Sequence, residues 1–212
     1  MAAPSLLLIT DRRNSALPLE EVIGQALEAG CRWIMLREKD LATAELRPLI
    51  EKIQAATEKF GATLSINGDF TAASLSGVRA VHLPQGQPTA TIRRVMGAQT
   101  LIGVSAHSID EAMQAVADGA NYVTASPMFE TQSKPGYGPA LGAEGLGAIA
   151  AAVSVPVLAL GGIAAENAGG CVRAGAAGVA VMGAVMRSET PGRVIAGLIA
   201  ALGAAATDLP KV

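Results

Sequence analysis

The chain has 212 residues, of which 50% are hydrophobic and 3% aromatic, and its formal net charge at pH 7 is -2. This length and apolar content are enough for one sizeable core. The charge and the scarcity of aromatic side chains disfavour binding of nucleic acid through phosphates or stacked bases. No apolar run reaches the ~18 residues of a membrane span, so we expect one cytoplasmic domain over residues 1–212.

Short apolar runs alternate with helical patterns along the chain. Runs that are unbroken and not alternating indicate strands buried on both faces. They predict eight strands, at Leu6–Thr10, Trp33–Leu36, Thr63–Ile66, Ala80–Leu83, Leu101–Val104, Tyr122–Ala125, Val157–Leu160 and Gly178–Met182. Helices are predicted at Leu19–Glu28, Ala42–Phe60, Thr89–Met96, Ile109–Asp118, Gly142–Val153, Glu166–Arg173 and Pro191–Leu202.

The number of these units predicts the architecture. Eight strand–helix units in about 200 residues favour a compact, single-domain (β/α)₈ TIM barrel. An open, doubly wound sheet is the alternative. It is disfavoured because Asp11-Arg12-Arg13 follows the first strand, where a dinucleotide fold has a glycine-rich turn. In a barrel the loops after the strands meet at one mouth, so we expect the functional site there.

Polar residues after the second, third and fourth strands are candidates for that site. Arg37 and Lys39 are two residues apart, so strand alternation directs both cations to one side, where they suit phosphate binding. An Asn-Gly pair begins at Asn67, and this pair is typical of a tight turn. His82 lies inside an apolar run, which favours a buried core histidine over a ligand.

The fifth and sixth strands lead into the polar segments that are richest in candidate groups. Ser105 and His107 end the fifth strand, and a histidine there can titrate near neutrality and move protons. The alternative is that His107 only precedes a helix capped by Ser108. Residues 126–139 form the longest loop, a type that often serves as a lid, and Lys134 within it is placed to close over an anion.

The last two strands end in glycine turns. Gly161-Gly162-Ile163 and Met182-Gly183-Ala184 each precede a helix. Glycine lets backbone N–H groups approach an oxyanion there, and phosphate after strands seven and eight is a recurring property of this barrel. We therefore expect a small phosphorylated molecule as the partner.

Taken in order, these segments resemble the thiamine phosphate synthase superfamily. The matching segments are LITD (8–11), LREK (36–39), ING (66–68), VHLPQG (81–86), IGVSAHS (102–108), NYVTASPMFETQSKPG (121–136), PVLALGGI (156–163) and AGAAGVAVMGA (174–184). The resemblance implies a (β/α)₈ barrel with one of two activities. Thiamine phosphate synthase uses Mg²⁺ to join a hydroxymethylpyrimidine diphosphate to a thiazole phosphate, releasing diphosphate. The TenI-type tautomerase shifts a proton on a thiazole phosphate carboxylate.

The resemblance also implies a role for individual residues. It places diphosphate at Arg37, Lys39, Asn67, Thr131 and Lys134, bound substrate at Ser105, and the thiazole phosphate at Gly162, Met182, Gly183 and Ala184. His107 falls at the proton-transferring histidine of the tautomerase. Ser105 and His107 are therefore the catalytic candidates.

The departures from the synthase pattern concern its metal. Two carboxylates look like its Mg²⁺ ligands, and the chain has Gly68 and the run Gln85-Gly86-Gln87 in their places. Asp69 comes one residue late and would point to the other side unless the loop bends. The synthase also tends to have a glutamine where this chain has Met35. Asn-Gly and Leu-Pro-x-Gly are the tautomerase-like version of these loops.

We therefore expect thiazole tautomerase-type proton transfer with no cofactor. One alternative is the synthase, which would bring Mg²⁺; the other is a non-catalytic binder of thiazole or thiamine phosphates. A Schiff-base aldolase is disfavoured because the lysines lie on polar loops. Cys31 and Cys171 lie in apolar contexts and are predicted to be buried, reduced thiols. The sequence leaves open a homo-oligomer.

Overall fold

The structure is a computed structural model that describes residues 6–130 and 139–207. Its strands are β1 (Leu6–Ile9), β2 (Trp33–Leu36), β3 (Thr63–Asn67), β4 (Ala80–Leu83), β5 (Leu101–Ala106), β6 (Tyr122–Ala125), β7 (Val157–Leu160) and β8 (Gly178–Val181). Its helices are α1 (Leu19–Glu28), α2 (Thr43–Lys59), α3 (Phe70–Leu75), α4 (Thr89–Met96), α5 (Ile109–Ala117), α6 (Gly142–Ala152), α7 (Ala165–Arg173), α8 (Gly183–Met186) and α9 (Pro191–Thr207).

The strands close into a barrel in chain order. Each strand is parallel to its neighbours, and β8 pairs with β1 through Leu6–Val179 and Leu8–Val181. Nearly every strand residue is buried, because one face of the sheet lies inside the barrel and the other lies under the helices. The predicted (β/α)₈ barrel is confirmed.

The interior of the barrel is a packed layer of side chains. Its buried members are Leu7, Ile9, Trp33, Met35, Tyr122, Leu158 and Ala180. Trp33 and Tyr122 meet edge to face, with ring centroids 4.7 Å apart and planes inclined by 68°, which is a favourable aromatic geometry. This layer fills the barrel below its mouth and forms the floor of any site there.

The helices differ from the predicted ones in length and number. Helix α9 continues to Thr207, beyond the predicted end at Leu202, because residues 203–207 include three alanines, the best helix former. Helices α3 and α8 and a 3₁₀ turn at Arg12–Asn14 were not predicted. They span three to six residues, which is too short to display a helical period.

The start of α5 is fixed by the capping arrangement that the sequence predicts. The Glu111 amide donates to Oγ of Ser108 over 3.2 Å, and the Glu111 carboxylate accepts from the backbone N–H of His107 over 2.7 Å. These reciprocal bonds satisfy two amides at the helix end. They also fix the backbone of His107 between β5 and α5.

Both cysteines are free and buried, as predicted, and burial raises the pKa of each thiol. Across residues 6–130 and 139–207, no helix is long and apolar enough to cross a membrane.

Candidate active site

A cavity of about 500 Å³ opens at the carboxyl ends of the strands. All eight strands or the loops after them contribute to its lining. The residues are Ile9, Met35, Arg37, Lys39, Asn67, His82, Ser105, Ser126, Pro127, Glu130, Leu160, Gly161, Gly162, Ile163, Ala180, Val181, Met182, Gly183, Ala184 and Arg187. The cavity therefore lies at the mouth, where the fold leads one to expect a site.

Most of the predicted site residues meet in this cavity. Those that line it are Arg37, Lys39, Asn67, Ser105, Gly162, Gly183 and Ala184. His107 is not among the lining residues. Thr131 and Lys134 lie outside the residues that the structure describes.

The loop that carries Arg37 and Lys39 is held by the residue between them. Glu38 points away from the cavity and is 6% exposed. Its carboxylate accepts from Oγ1 of Thr10 over 2.6 Å, and the same Thr10 oxygen accepts from the backbone N–H of Arg37 over 2.9 Å. Alternation along the chain thus directs the two cations inward and the carboxylate outward.

Arg12 completes this support from the loop after β1. Its backbone N–H and its guanidinium each donate to Oε2 of Glu38 over 3.1 Å. The guanidinium also forms two bonds to the Asp40 carboxylate, over 2.7 and 2.8 Å. That pairing raises the pKa of Arg12 and lowers the pKa of Asp40. This network was not predicted from the sequence, although an acidic residue between two cations at a strand end is a signal for it.

A second buried polar group lies under Ser105. Nε2 of His82 is 3.0 Å from Oγ of Ser105, and Nδ1 of His82 is 3.1 Å from the hydroxyl oxygen of Tyr122. Oγ1 of Thr124 lies 3.4 Å from the same Nε2. Burial lowers the pKa of His82 to about 3, so the imidazole is neutral near pH 7 and carries one hydrogen.

The buried tyrosine determines which nitrogen of His82 carries that hydrogen. Among the described residues, His82 is the hydrogen-bond partner of the Tyr122 hydroxyl. An unsatisfied buried O–H is costly, so Tyr122 donates to Nδ1. The hydrogen of His82 is then on Nε2 and is donated to Ser105. Ser105 accepts this bond and keeps its own hydroxyl hydrogen for the cavity.

The predicted description of His82 as a buried core histidine is correct but incomplete. Both ring nitrogens are satisfied, yet one of them orients a hydroxyl that lines the cavity. The signal was in the strand register. His82 pairs with Gly103, and Gly103 pairs with Tyr122. This register places the side chains of His82, Ser105 and Tyr122 on three neighbouring strands, β4, β5 and β6.

His107 contacts a residue that lines the cavity. Its Nδ1 is 2.7 Å from the carbonyl oxygen of Ser126, a residue that lines the cavity. A carbonyl only accepts, so Nδ1 carries a hydrogen and donates it. In the neutral ring the lone pair is then on Nε2, the arrangement that a general base needs.

The turn after β7 is shaped by the loop after β6. The amides of Met128 and Phe129 donate to the carbonyls of Leu160 and Gly161 over 2.8 and 3.1 Å. Gly162 has a φ of +67°, and a Cβ there would lie 2.7 Å from the Glu130 carbonyl oxygen. Glycine at 162 is therefore required by this packing, in addition to lining the cavity.

The described residues do not supply a carboxylate cage for Mg²⁺. Asp69 caps α3, where its carboxylate accepts from the Ala72 amide over 2.8 Å and from Oγ1 of Thr43 over 2.7 Å. Glu130 is the one acidic residue among the described lining residues. Within the described ranges no three His, Cys, Asp or Glu side chains cluster, and residues 131–138 contain no acid. Mg²⁺ prefers hard oxygen ligands such as carboxylates, so the donor set does not fit a protein-held ion.

A closed (β/α)₈ barrel with cations and a cavity at the carboxyl ends of its strands places the chain in the class of TIM-barrel proteins with their site at that mouth. A family model described as "Thiamine monophosphate synthase" matches residues 6–185. The chain belongs to this family, and it is a thiamine-biosynthesis enzyme.

Relatives with curated names and solved structures agree with this assignment. A thiamine-phosphate synthase of Roseiflexus castenholzii is 39% identical over 186 residues, which cover 87% of this chain and 82% of the relative. One of Moorella thermoacetica is 39% identical over 180 residues, covering 84% and 86%. The structure of thiamine phosphate pyrophosphorylase from Pyrococcus furiosus superposes with a TM-score of 0.86 at 29% identity, covering 95% and 96%. These names favour the synthase alternative over the tautomerase.

Proposed function

We propose that the enzyme binds a thiazole phosphate carboxylate at the barrel mouth and shifts a proton on it, as the tautomerase-type members do. The observation that carries this proposal is the donor set of the cavity. Among the described residues it combines cations and a fixed hydroxyl donor with a histidine that contacts the lining residue Ser126, and Glu130 is the one carboxylate in the lining.

The cations and polar turns suit a substrate with two anionic groups. Arg37, Lys39 and Asn67 line the cavity together with the glycine turn at Gly183. A phosphate and a carboxylate on one small molecule would engage the cations and the turn. Guanidinium and ammonium groups together favour such anions over neutral ligands.

Proton transfer needs a general base and a group that stabilises the developing charge. We assign the first role to His107, whose Nδ1–H bond to Ser126 leaves the ring lone pair on Nε2. We assign the second role to Ser105, whose hydrogen His82 directs into the cavity. His82 itself is not the proton carrier, because burial lowers its pKa to about 3.

Release of diphosphate makes a different demand. Charge builds on the leaving oxygens, and metal ions are the usual means of stabilising it. The Asp69 carboxylate caps the start of α3 and already has two hydrogen-bond donors there. The cations of the mouth would then have to stabilise the charge on the leaving diphosphate by themselves. This favours proton transfer as the reaction.

Thiamine phosphate synthase is the second candidate, because the curated relatives bear that name. In that case the same cations would hold the diphosphate, and Mg²⁺ would have to be held mainly by the substrate's own oxygens. Mg²⁺ is often bound in this way, through substrate phosphates with few protein ligands.

One pair of assays separates the candidates. Incubation with the thiazole phosphate carboxylate in D₂O, with a chelator present, should give the isomerised product with deuterium at the exchanging carbon. Formation of thiamine phosphate from the two synthase substrates, with no isomerisation, would overturn the proposal. Tight binding without turnover in either assay would identify a binder.

Variants of the two assigned residues test the mechanism. His107→Asn should lower the isomerisation rate by about 100-fold or more, the typical contribution of a general base. Ser105→Ala should lower it by about 10- to 100-fold. Ser74→Ala, an exposed serine on α3, is the matched control. Wild-type rates in His107→Asn would refute the assignment of the base.

A further inference from the structure

A smaller cavity of about 310 Å³ adjoins the main one beside β8. The two cavities share Arg37, Met182, Gly183 and Arg187, so these residues separate and line both. Arg187 has no role in the resemblance given above, and it lies just beyond the residues that the family model matches. Its charged side chain therefore lies where a ligand of either cavity could contact it.

The Arg187 side chain folds back over the turn after β8. A Cβ built on Gly183 would lie 2.7 Å from Nη2 and 2.8 Å from Cζ of Arg187. Both distances are well inside van der Waals contact. The guanidinium therefore occupies the space that any side chain at position 183 would fill, and glycine at 183 is what lets Arg187 reach the cavity.

The charge of Arg187 is not balanced within residues 6–130 and 139–207. No ion pair or side-chain hydrogen bond of Arg187 is found there, whereas Arg12 is paired with Glu38 and Asp40. The guanidinium of Arg37, the other cation shared by the cavities, has a long contact of 3.9 Å to Sδ of Met182. Two guanidinium groups thus flank one turn, and no carboxylate among the described residues pairs with either.

Among the described residues, Asp11 is the one acidic residue that lines the smaller cavity. Its Oδ2 already accepts a bond of 2.9 Å from the side-chain amide of Asn14. One carboxylate that is already hydrogen-bonded thus lines this cavity with two guanidinium groups. The local excess of positive charge favours an anion, and a planar guanidinium suits the bidentate binding of a phosphate.

We propose that Arg187 is a substrate-binding residue that holds the phosphate monoester group of the substrate over Gly183. This proposal rests on the proposed function for the identity of the substrate, since both place a phosphorylated molecule in the main cavity. The phosphate contact itself is independent of the reaction that follows.

Binding of inorganic phosphate, measured by calorimetry on the full chain, tests the contact without turnover. Arg187→Gln should weaken phosphate binding by about 10-fold or more, the loss typical of one charge-assisted contact. Arg79→Gln is the matched control, because Arg79 is an exposed arginine that directly precedes β4, at the opposite end of the barrel. Equal phosphate affinity in Arg187→Gln and the wild type would overturn the proposal.

A substitution at position 183 tests the geometry. Gly183→Ala should displace the guanidinium and weaken phosphate binding by a similar factor in the wild type. In the Arg187→Gln background the same substitution should cost less than twofold, since the charged group it displaces is gone. Additive losses in the double variant would contradict the proposed arrangement.

Turnover assays separate this proposal from the proposed function. If Arg187→Gln weakens phosphate binding while the wild type fails to isomerise the thiazole, only the proposed function is wrong. If isomerisation occurs and Arg187→Gln leaves KM unchanged, the Arg187 contact is wrong. Circular dichroism spectra of each variant verify that a lost contact is not lost folding.

Discussion

Two parts of the barrel mouth are built in opposite ways. After β2 and β5, buried polar groups hold the residues that face the cavity: Glu38 supports the Arg37 loop, and His82 orients Ser105. After β8, Arg187 lies over Gly183 with no such partner among the described residues. The first part is arranged before the ligand arrives, and the second has a charge that the ligand would neutralise.

This difference separates stability from binding. A buried group that orients a site residue also contributes to the folded state, so its loss should lower the free energy of unfolding. An unpartnered surface cation contributes little to that free energy. Stability measurements on matched variants therefore test the difference between the two parts of the mouth.

The largest expected effect is at the support of the β2 loop. Glu38→Gln removes the charge that Arg12 and Thr10 bind, and should lower the free energy of unfolding by about 2–3 kcal/mol. Activity should fall with it, because Arg37 and Lys39 lose their fixed orientation. Urea denaturation measures the first effect. Glu58→Gln, an exposed carboxylate on α2, should change little; an equal loss in both variants would show that Glu38 has no special role.

Acid should destabilise the folded protein through His82. Its folded pKa, about 3, lies below the ordinary value of 6.5. The stability due to the neutral ring is therefore complete above pH 6.5 and is lost as the pH falls toward 3. Between pH 6.5 and 5 this amounts to about 2 kcal/mol.

Denaturation curves at several pH values test that loss. His82→Gln should be less stable at pH 7 but should lack this part of the pH dependence. His107→Gln is the control and should retain it. A His82→Gln protein with the wild-type slope between pH 6.5 and 5 would contradict the role of burial at His82.

A smaller effect is expected at the hydroxyl that fixes the imidazole hydrogen. Tyr122→Phe removes one buried hydrogen bond and should cost about 1 kcal/mol of stability. It also leaves the ring of His82 free to move its hydrogen to Nδ1. ¹⁵N NMR of the histidine ring should show hydrogen on Nε2 in the wild type and a mixture of tautomers in the variant. A wild-type spectrum with hydrogen on Nδ1 would refute the orientation of Ser105.

The smallest effect on stability is expected at Arg187, after β8. Arg187→Gln should change the free energy of unfolding by less than about 0.5 kcal/mol, although it weakens phosphate binding. Thermal denaturation of this variant beside Arg79→Gln measures the difference. A loss of 2 kcal/mol in Arg187→Gln would mean that the arginine is structural and that the contrast between the two parts of the mouth is wrong.

The sequence was sufficient for the architecture because buried parallel strands leave a local signal. Each strand is a short apolar run, and eight of them in series indicate a closed barrel. Strand alternation likewise sufficed to bring Arg37 and Lys39 to one cavity. Helices α3 and α8 were not predicted, because helices of four to six residues are too short to show a helical period in the sequence.

The connections within the site could not be predicted in the same way. The contact of His82 with Ser105 and Tyr122 depends on the register of three strands. The support of Arg37 by Glu38 depends on bonds to Thr10, which follows the neighbouring strand β1. Arg187 reaches the cavity only because residue 183 has no side chain. Such contacts join residues that are distant in sequence, or depend on a missing atom, and no local pattern encodes them.

The single tryptophan of the chain makes the barrel interior observable. Trp33 is fully buried, donates its indole N–H to Ser65 over 3.2 Å, and packs against Tyr122. It is thus one ring away from the hydrogen-bonded chain that ends at the ligand cavity. Its fluorescence is a built-in optical probe of that chain, and occupancy at the mouth can be followed by emission from the unlabelled protein.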